Sequence, residues 1–134
     1  MIYITLFLFS FITLFHVYMG VGLPFNKAAV LPLIKGKPMP FHALAALPVA
    51  AALAISTLAF AHESGMIESI KYGDLLTKYL WLTGIGLLLR GLGGLVFFHL
   101  LNLIIDPTEF KVWDLRLYSP LTIILGTHCI LVLI

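Results

Sequence analysis

A charged residue inside a long apolar run is the first feature of this sequence that suggests chemistry. Arg90 lies in such a run, with Gly86 four positions before it and Gly94 four positions after it. Residues four apart share one face of a helix, and small residues there let another helix approach closely. Two interpretations follow. Arg90 binds an anionic group such as a carboxylate or a lipid phosphate, or it pairs with an acid or helix carbonyls and fixes a helix bundle.

Several other polar side chains can join Arg90 in one cluster near one side of the membrane. The candidates are His16, His99, Asp106, Asp114, Arg116 and Tyr118. Histidines beside carboxylates are suited to proton transfer or to holding a metal or haem. The sequence has no HxxxH or HExxH spacing, so we predict no metal and no cofactor. His62 and Glu63 are interpreted as the solvated start of a loop.

The composition indicates a membrane protein. Hydrophobic residues make up 61% of the 134 residues and charged residues only 10%, with a mean hydropathy of +1.10. An ordinary water-soluble domain has about 25% charged residues. The net charge of +2 is too small for a phosphate-neutralising surface, so nucleic acid is excluded as a partner. The single cysteine, Cys129, lies in an apolar run and is expected to be a small buried hydrophobe.

Four stretches are long and apolar enough to cross a bilayer as helices, which need about 20 residues. They cover residues 2–23, 41–61, 79–105 and 115–134 approximately. Since lipid satisfies no backbone polar group, we predict an all-α polytopic four-transmembrane-helix bundle forming one membrane domain over residues 1–134. The first stretch has no preceding Lys or Arg and no clear cleavage site, so we expect a retained helix.

The start of the fourth helix has two interpretations. Ser119 followed by Pro120 is typical of an N-cap with proline at the first helical position, which favours a break or kink there. Alternatively, the helix begins near Asp114 and accommodates Pro120 with a local kink.

The loop charges predict the orientation. The first loop and the third, counted through Arg116, hold five Lys and Arg residues, whereas the second loop holds two. The positive-inside rule then places the first and third loops in the cytoplasm and both termini on the periplasmic or extracellular side.

The segment Trp113-Asp114-Leu115-Arg116-Leu117-Tyr118-Ser119-Pro120-Leu121, followed by Leu125-Gly126, is the most distinctive motif. It resembles the signature of a bacterial family of small four-helix membrane proteins catalogued as domain of unknown function 3995. Residues 16–22 and 89–93 are similar to two further family patterns. The resemblance implies the same architecture and no particular activity. It groups His16, Arg90, Asp114, Arg116 and Tyr118, with Asp114 as counter-ion of either Arg90 or Arg116.

Three functions are consistent with these features. The first is a non-enzymatic bacterial inner-membrane protein: an accessory, ligand-binding or protective component in contact with lipids and with a membrane-protein partner or a second copy. The second is a membrane-embedded enzyme that acts on a lipid, sterol-like or quinone substrate by proton transfer. The third is a subunit of a small anion transporter or channel with Arg90 as its anion site. The sequence has no recognised catalytic motif, which favours the first function.

Overall fold

The computed structural model describes residues 1–34, 37–38, 41–68, 71–96 and 109–134. These residues form a helical protein with one pair of short antiparallel strands, Leu33–Ile34 (β1) and Lys37–Pro38 (β2). The α-helices are α1 (Ile2–Gly20), α2 (Lys27–Val30), α3 (Ala46–Glu63), α4 (Gly73–Gly93), α5 (Glu109–Trp113) and α6 (Ser119–Leu131). A 3-10 turn, Ala43–Ala45, precedes α3, and a π-helical segment, Asp114–Tyr118, joins α5 to α6. The predicted all-helical class is confirmed for the described residues.

Three helical stretches are long and apolar enough to cross a membrane. They are Ile2–Gly20, Ala43–Glu63 and Gly73–Val96. The polytopic membrane character is thereby supported. The predicted fourth span is not among them, because α6 has only 13 residues and the helical run before it carries charges.

Helices α1 and α3 end in the same way. In both, a glycine with positive φ follows the helix: Gly22 at +80° and Gly65 at +74°. The backbone N–H groups of this glycine and of the next residue donate to carbonyls in the last helical turn. This Schellman arrangement satisfies carbonyls that the helix leaves open. It ends α1 at Gly20 and α3 at Glu63, within three residues of the predicted limits.

Helix α4 begins at Gly73, well before the predicted limit at residue 79. Its first turns carry Asp74 and Lys78, which hydropathy does not count as part of a span. A charged amphipathic turn therefore extends the helix beyond its apolar part.

The core is formed where the four longest helices meet. Its buried residues are Phe9, Ala59, Phe60, Leu80, Leu125 and Cys129. The burial of Cys129 confirms its predicted role as a small hydrophobe. Helix α1 packs on α3, α3 on α4, and α4 on α6.

Polar contacts between helices complete the bundle. Ser56 of α3 and Thr83 of α4 form a hydroxyl–hydroxyl hydrogen bond of 3.1 Å. The Thr5 hydroxyl lies 2.7 Å from His128 Nδ1, which links α6 back to α1. This contact places the beginning of α1 next to the last turn of α6, so both lie at the same end of the bundle.

Glycines bring α4 and α6 close together. A Cβ on Gly126 would lie 2.8 Å from the carbonyl oxygen of Gly84 and 3.0 Å from the backbone nitrogen of Leu88. A Cβ on Gly91 would lie 2.8 Å from the carbonyl oxygen of Ser119. Backbone thus meets backbone along this interface, as in close-packed membrane helices.

Candidate functional site

The candidate site is built around an ion pair between α4 and the π-helical segment. Arg90 Nη2 donates to Asp114 Oδ1 at 2.5 Å. The Asp114 side chain is fully buried, whereas that of Arg90 remains 39% exposed. Of the two counter-ions left open by the sequence, Arg90 is thus the residue that pairs with Asp114. Arg90 lies in the last turn of α4, about 25 Å from Gly73 at 1.5 Å per residue.

Ser119 completes the contacts of the Asp114 carboxylate. Its buried hydroxyl donates to Asp114 Oδ2 at 2.8 Å, so both carboxylate oxygens accept a hydrogen bond. The backbone N–H of Ser119 also donates to the Asp114 carbonyl, a bond between residues five apart. This wide π-type turn brings the two side chains onto the same face.

The helix neither begins nor breaks at Ser119, contrary to the favoured interpretation. It runs without interruption from Glu109 to Leu131, and the Ser119 side chain is engaged with Asp114 rather than capping α6. Pro120 lacks an N–H, and in a regular α-helix its ring would clash with the carbonyl of Arg116. The π-helical segment directly before Pro120 accommodates the proline without ending the helix.

Gly94 provides the space for this network. A Cβ at Gly94 would lie 2.5 Å from Ser119 Oγ, 2.6 Å from Arg90 Nη1 and 3.0 Å from Asp114 Oδ2. The predicted close approach at Gly94 is therefore confirmed. The same prediction is wrong for Gly86, where an added Cβ would meet no described atom within 4 Å. Gly86 lies on a face of α4 that α6 does not cover.

Tyr118 connects the site to the first loop. Its hydroxyl donates to the Ala29 carbonyl of α2 at 3.1 Å, and its ring lies 6.1 Å from that of Phe110. Next to it, Asn26 Nδ2 donates to Glu109 Oε2 at 3.1 Å. The first loop is thus held against α5 and the π-helical segment.

The remaining predicted site residues do not all join this network. His16 is half-buried, and its Nδ1 lies 2.8 Å from the Ile12 carbonyl of its own helix. Arg116 is exposed. His99 and Asp106 lie outside the described residues. Among the described residues, no three His, Cys, Asp or Glu side chains are grouped closely enough to hold a metal ion.

Two polar arrangements were not foreseen from the sequence. Ser119 was interpreted as a helix cap, because the π-type turn that directs it to Asp114 has no simple spacing signal. Glu63 was assigned to solvent, yet it accepts a hydrogen bond from Thr77 and lies 3.3 Å from His62 Nδ1. The sequence gives only a weak indication of this contact: Glu63 ends one helix, and Thr77 lies one turn after the start of the next.

Comparison with known proteins agrees with the motif. The chain matches the family model described as protein of unknown function (DUF3995) over residues 9–129. No curated protein and no solved structure matches it. The matched range includes His16, Arg90, Asp114, Arg116 and Tyr118, and it covers most of the sequence. The chain therefore belongs to the DUF3995 family.

Proposed function

We propose that the chain is a bacterial inner-membrane protein that crosses the bilayer four times, with both termini outside the cytoplasm. The helical run from Glu109 to Leu131 would be the fourth span, since it is about 35 Å long at 1.5 Å per residue. The five Lys and Arg residues of the first and third loops support a cytoplasmic position for both loops. The contact between Thr5 and His128 supports an even number of spans.

Within this architecture, the proposed function is non-enzymatic. The protein acts as an accessory, ligand-binding or protective component that holds an anionic lipid headgroup at Arg90. The observation that carries this proposal is the unequal burial of one ion pair: Asp114 is fully buried, whereas Arg90 is 39% exposed. The buried acid orients the guanidinium, and the exposed part of the same group is accessible to lipid.

Guanidinium chemistry favours a phosphate or carboxylate as the ligand. The group is planar, always charged and carries five N–H donors in a fixed fork that matches the geometry of these anions. Arg90 lies about 25 Å along α4 from Gly73, so its side chain can reach the headgroups of the leaflet next to the first loop. An anionic phospholipid is the most abundant source of such a group in that position.

The enzymatic alternative receives less support from the contacts. It needs Asp114 as a proton acceptor close to His16, but both Asp114 oxygens already accept hydrogen bonds from Arg90 and Ser119. The His16 ring is hydrogen-bonded to its own helix backbone. Within the described residues, no observation favours the transport alternative.

The test compares lipid retention by the purified protein. Native mass spectrometry would measure binding of phosphatidylglycerol against phosphatidylcholine with the same acyl chains. We expect the wild type to prefer phosphatidylglycerol. The double variant Arg90→Gln with Asp114→Asn removes both charges, leaves no unpaired buried charge and should abolish the preference.

Lys27→Gln is the matched control, because Lys27 is exposed and lies in α2, near the same end of the bundle. It should keep the wild-type preference. A folded double variant that still prefers phosphatidylglycerol, or a wild type without any preference, would refute the proposed function.

A further inference from the structure

A polar cavity lies at the other end of the bundle, where α3 ends and α4 begins. Its volume is about 690 Å³, within the range of about 300–1,000 Å³ that is typical of ligand pockets. Polar side chains of both charge signs line it: His62, Glu63, Lys71, Asp74, Thr77 and Lys78. None of these residues takes part in the Arg90 network, so the cavity is independent of the proposed function.

The inner wall of the cavity is held in place by hydrogen bonds. Thr77 donates to the Glu63 carboxylate, and His62 Nδ1 lies 3.3 Å from the same oxygen. The Glu63 and His62 side chains are only 18% and 22% exposed. A Cβ on Gly73 would lie 3.0 Å from His62 Cε1, so the imidazole rests directly on the backbone of α4. Glu63 is therefore a positioned carboxylate rather than a solvated loop residue.

The outer wall supplies cations. Lys71 lies two residues before α4, and Asp74 and Lys78 lie one turn apart on the same face of that helix. Both lysines are exposed and line the cavity that Glu63 borders. A purely anionic ligand would be repelled by Glu63 on the inner wall, and a purely cationic ligand would be repelled by the lysines on the outer wall. A zwitterion, with an anionic part near the lysines and a cationic part near Glu63, satisfies both.

The position of the cavity narrows the class of zwitterion. Glu63 ends one candidate membrane span and Gly73 begins the next, so the cavity lies at the level of lipid headgroups. We propose that it binds a headgroup of the phosphoethanolamine class. The primary ammonium donates to Glu63, and the phosphate lies between Lys71 and Lys78. A trimethylammonium group has the same charge but no N–H donor, so choline headgroups bind less well.

Native mass spectrometry of the full chain in detergent tests this site with phosphatidylethanolamine and phosphatidylcholine of identical acyl chains. We expect a preference of about tenfold for phosphatidylethanolamine, the value of one hydrogen bond to a charged group. Glu63→Gln should reduce the preference strongly. Lys71→Ala with Lys78→Ala should weaken binding of both lipids. Glu68→Gln and Lys27→Ala are matched controls, because both residues are exposed and outside the cavity lining.

Two results would overturn the proposal. One is equal binding of the two lipids by the wild type, and the other is an unchanged preference in a folded Glu63→Gln variant. If Glu63→Gln does not fold, the lysine variant decides, since undiminished phospholipid binding there also overturns it. Competition with glycerophosphoethanolamine, which has the same headgroup but no acyl chains, distinguishes a water-soluble ligand from a lipid. Displacement of bound phosphatidylethanolamine indicates a water-soluble ligand with this headgroup chemistry. No displacement indicates the lipid.

Discussion

Arg90 and Asp114 form one ion pair but have different surroundings. The carboxylate is enclosed by protein and accepts hydrogen bonds from Arg90 and Ser119, whereas the guanidinium reaches the surface of the bundle. An unpaired charge costs most where no solvent or headgroup can stabilise it. The buried Asp114 charge therefore depends more on the ion pair for its stabilisation than the Arg90 charge does.

Single neutral substitutions should reveal this asymmetry. Arg90→Gln removes the guanidinium that pairs with the buried Asp114 carboxylate and should destabilise the protein by up to about 3 kcal/mol, below the full cost of breaking a buried pair because Arg90 is partly exposed. Asp114→Asn should cost less, since Arg90 can turn towards headgroups. Thermal unfolding in detergent measures both, with the double variant closing the cycle. A larger loss in Asp114→Asn would contradict the argument.

At the scale of elements, α4 and α6 are held together by small residues on both sides. Gly84 faces Gly126 and Gly91 faces the Ser119 backbone, while the ion pair joins α4 to the π-helical segment directly before α6. The sequence indicated that glycines near Arg90 would admit a helix, and Gly94 does so. It did not distinguish Gly84 and Gly91 from Gly86, because the covered face of α4 depends on where α6 lies.

Alanine substitutions at matched glycines test this interface. Gly126→Ala places a methyl group 2.8 Å from the backbone oxygen of Gly84, which no side-chain movement can relieve, and should cost about 1–3 kcal/mol. Gly86→Ala meets no described neighbour and should stabilise α4 by about 0.5–1 kcal/mol. Unfolding temperatures in the same detergent compare the two variants. Equal effects would show that α4 and α6 are not in close contact at Gly126.

The limits of the elements were predictable to different degrees. The ends of α1 and α3 are predictable from the glycines that follow them, Gly22 and Gly65, because the left-handed residue after a helix is most often glycine. The start of α4 was missed because charged turns continue a helix without raising hydropathy. The π-helical segment was missed because Pro120 allows a cap, a kink or a widened turn, and only contacts with α4 select among them.

At the scale of the whole molecule, the hydrogen bond between Thr5 and His128 links the beginning of α1 to the last turn of α6. Overall apolarity predicted a membrane bundle, and the three helical stretches that are long and apolar enough to cross a membrane agree with it. A histidine inside an apolar run indicates a hydrogen bond between helices, and His128 forms one; that its partner is Thr5 could not be predicted, since the two residues are more than a hundred positions apart. The same applies to the Asn26–Glu109 contact that holds the first loop.

Single-cysteine labelling tests the four-span topology. Native Cys129 is fully buried and should stay unreactive towards a membrane-impermeant maleimide. We expect Lys27→Cys to react only in inverted vesicles, and Glu68→Cys and Ile134→Cys only in intact spheroplasts. If Ile134→Cys reacts together with Lys27→Cys, α6 does not complete a fourth span. If Glu68→Cys reacts together with Lys27→Cys, the first and second loops lie on the same side of the membrane, and the predicted orientation is wrong.

The π-helical segment has a consequence for how the length of this chain can vary. A bond between residues five apart encloses one residue more than a regular α-helical turn, so Asp114–Tyr118 is equivalent to a single-residue insertion. Deleting one residue of the segment and replacing Pro120 by a residue with an N–H would restore an uninterrupted ladder without rotating α6 against α4. Asp114 and Ser119 would then be four apart and still on one face. The segment can therefore lose one residue while the contact between Asp114 and Ser119 is kept.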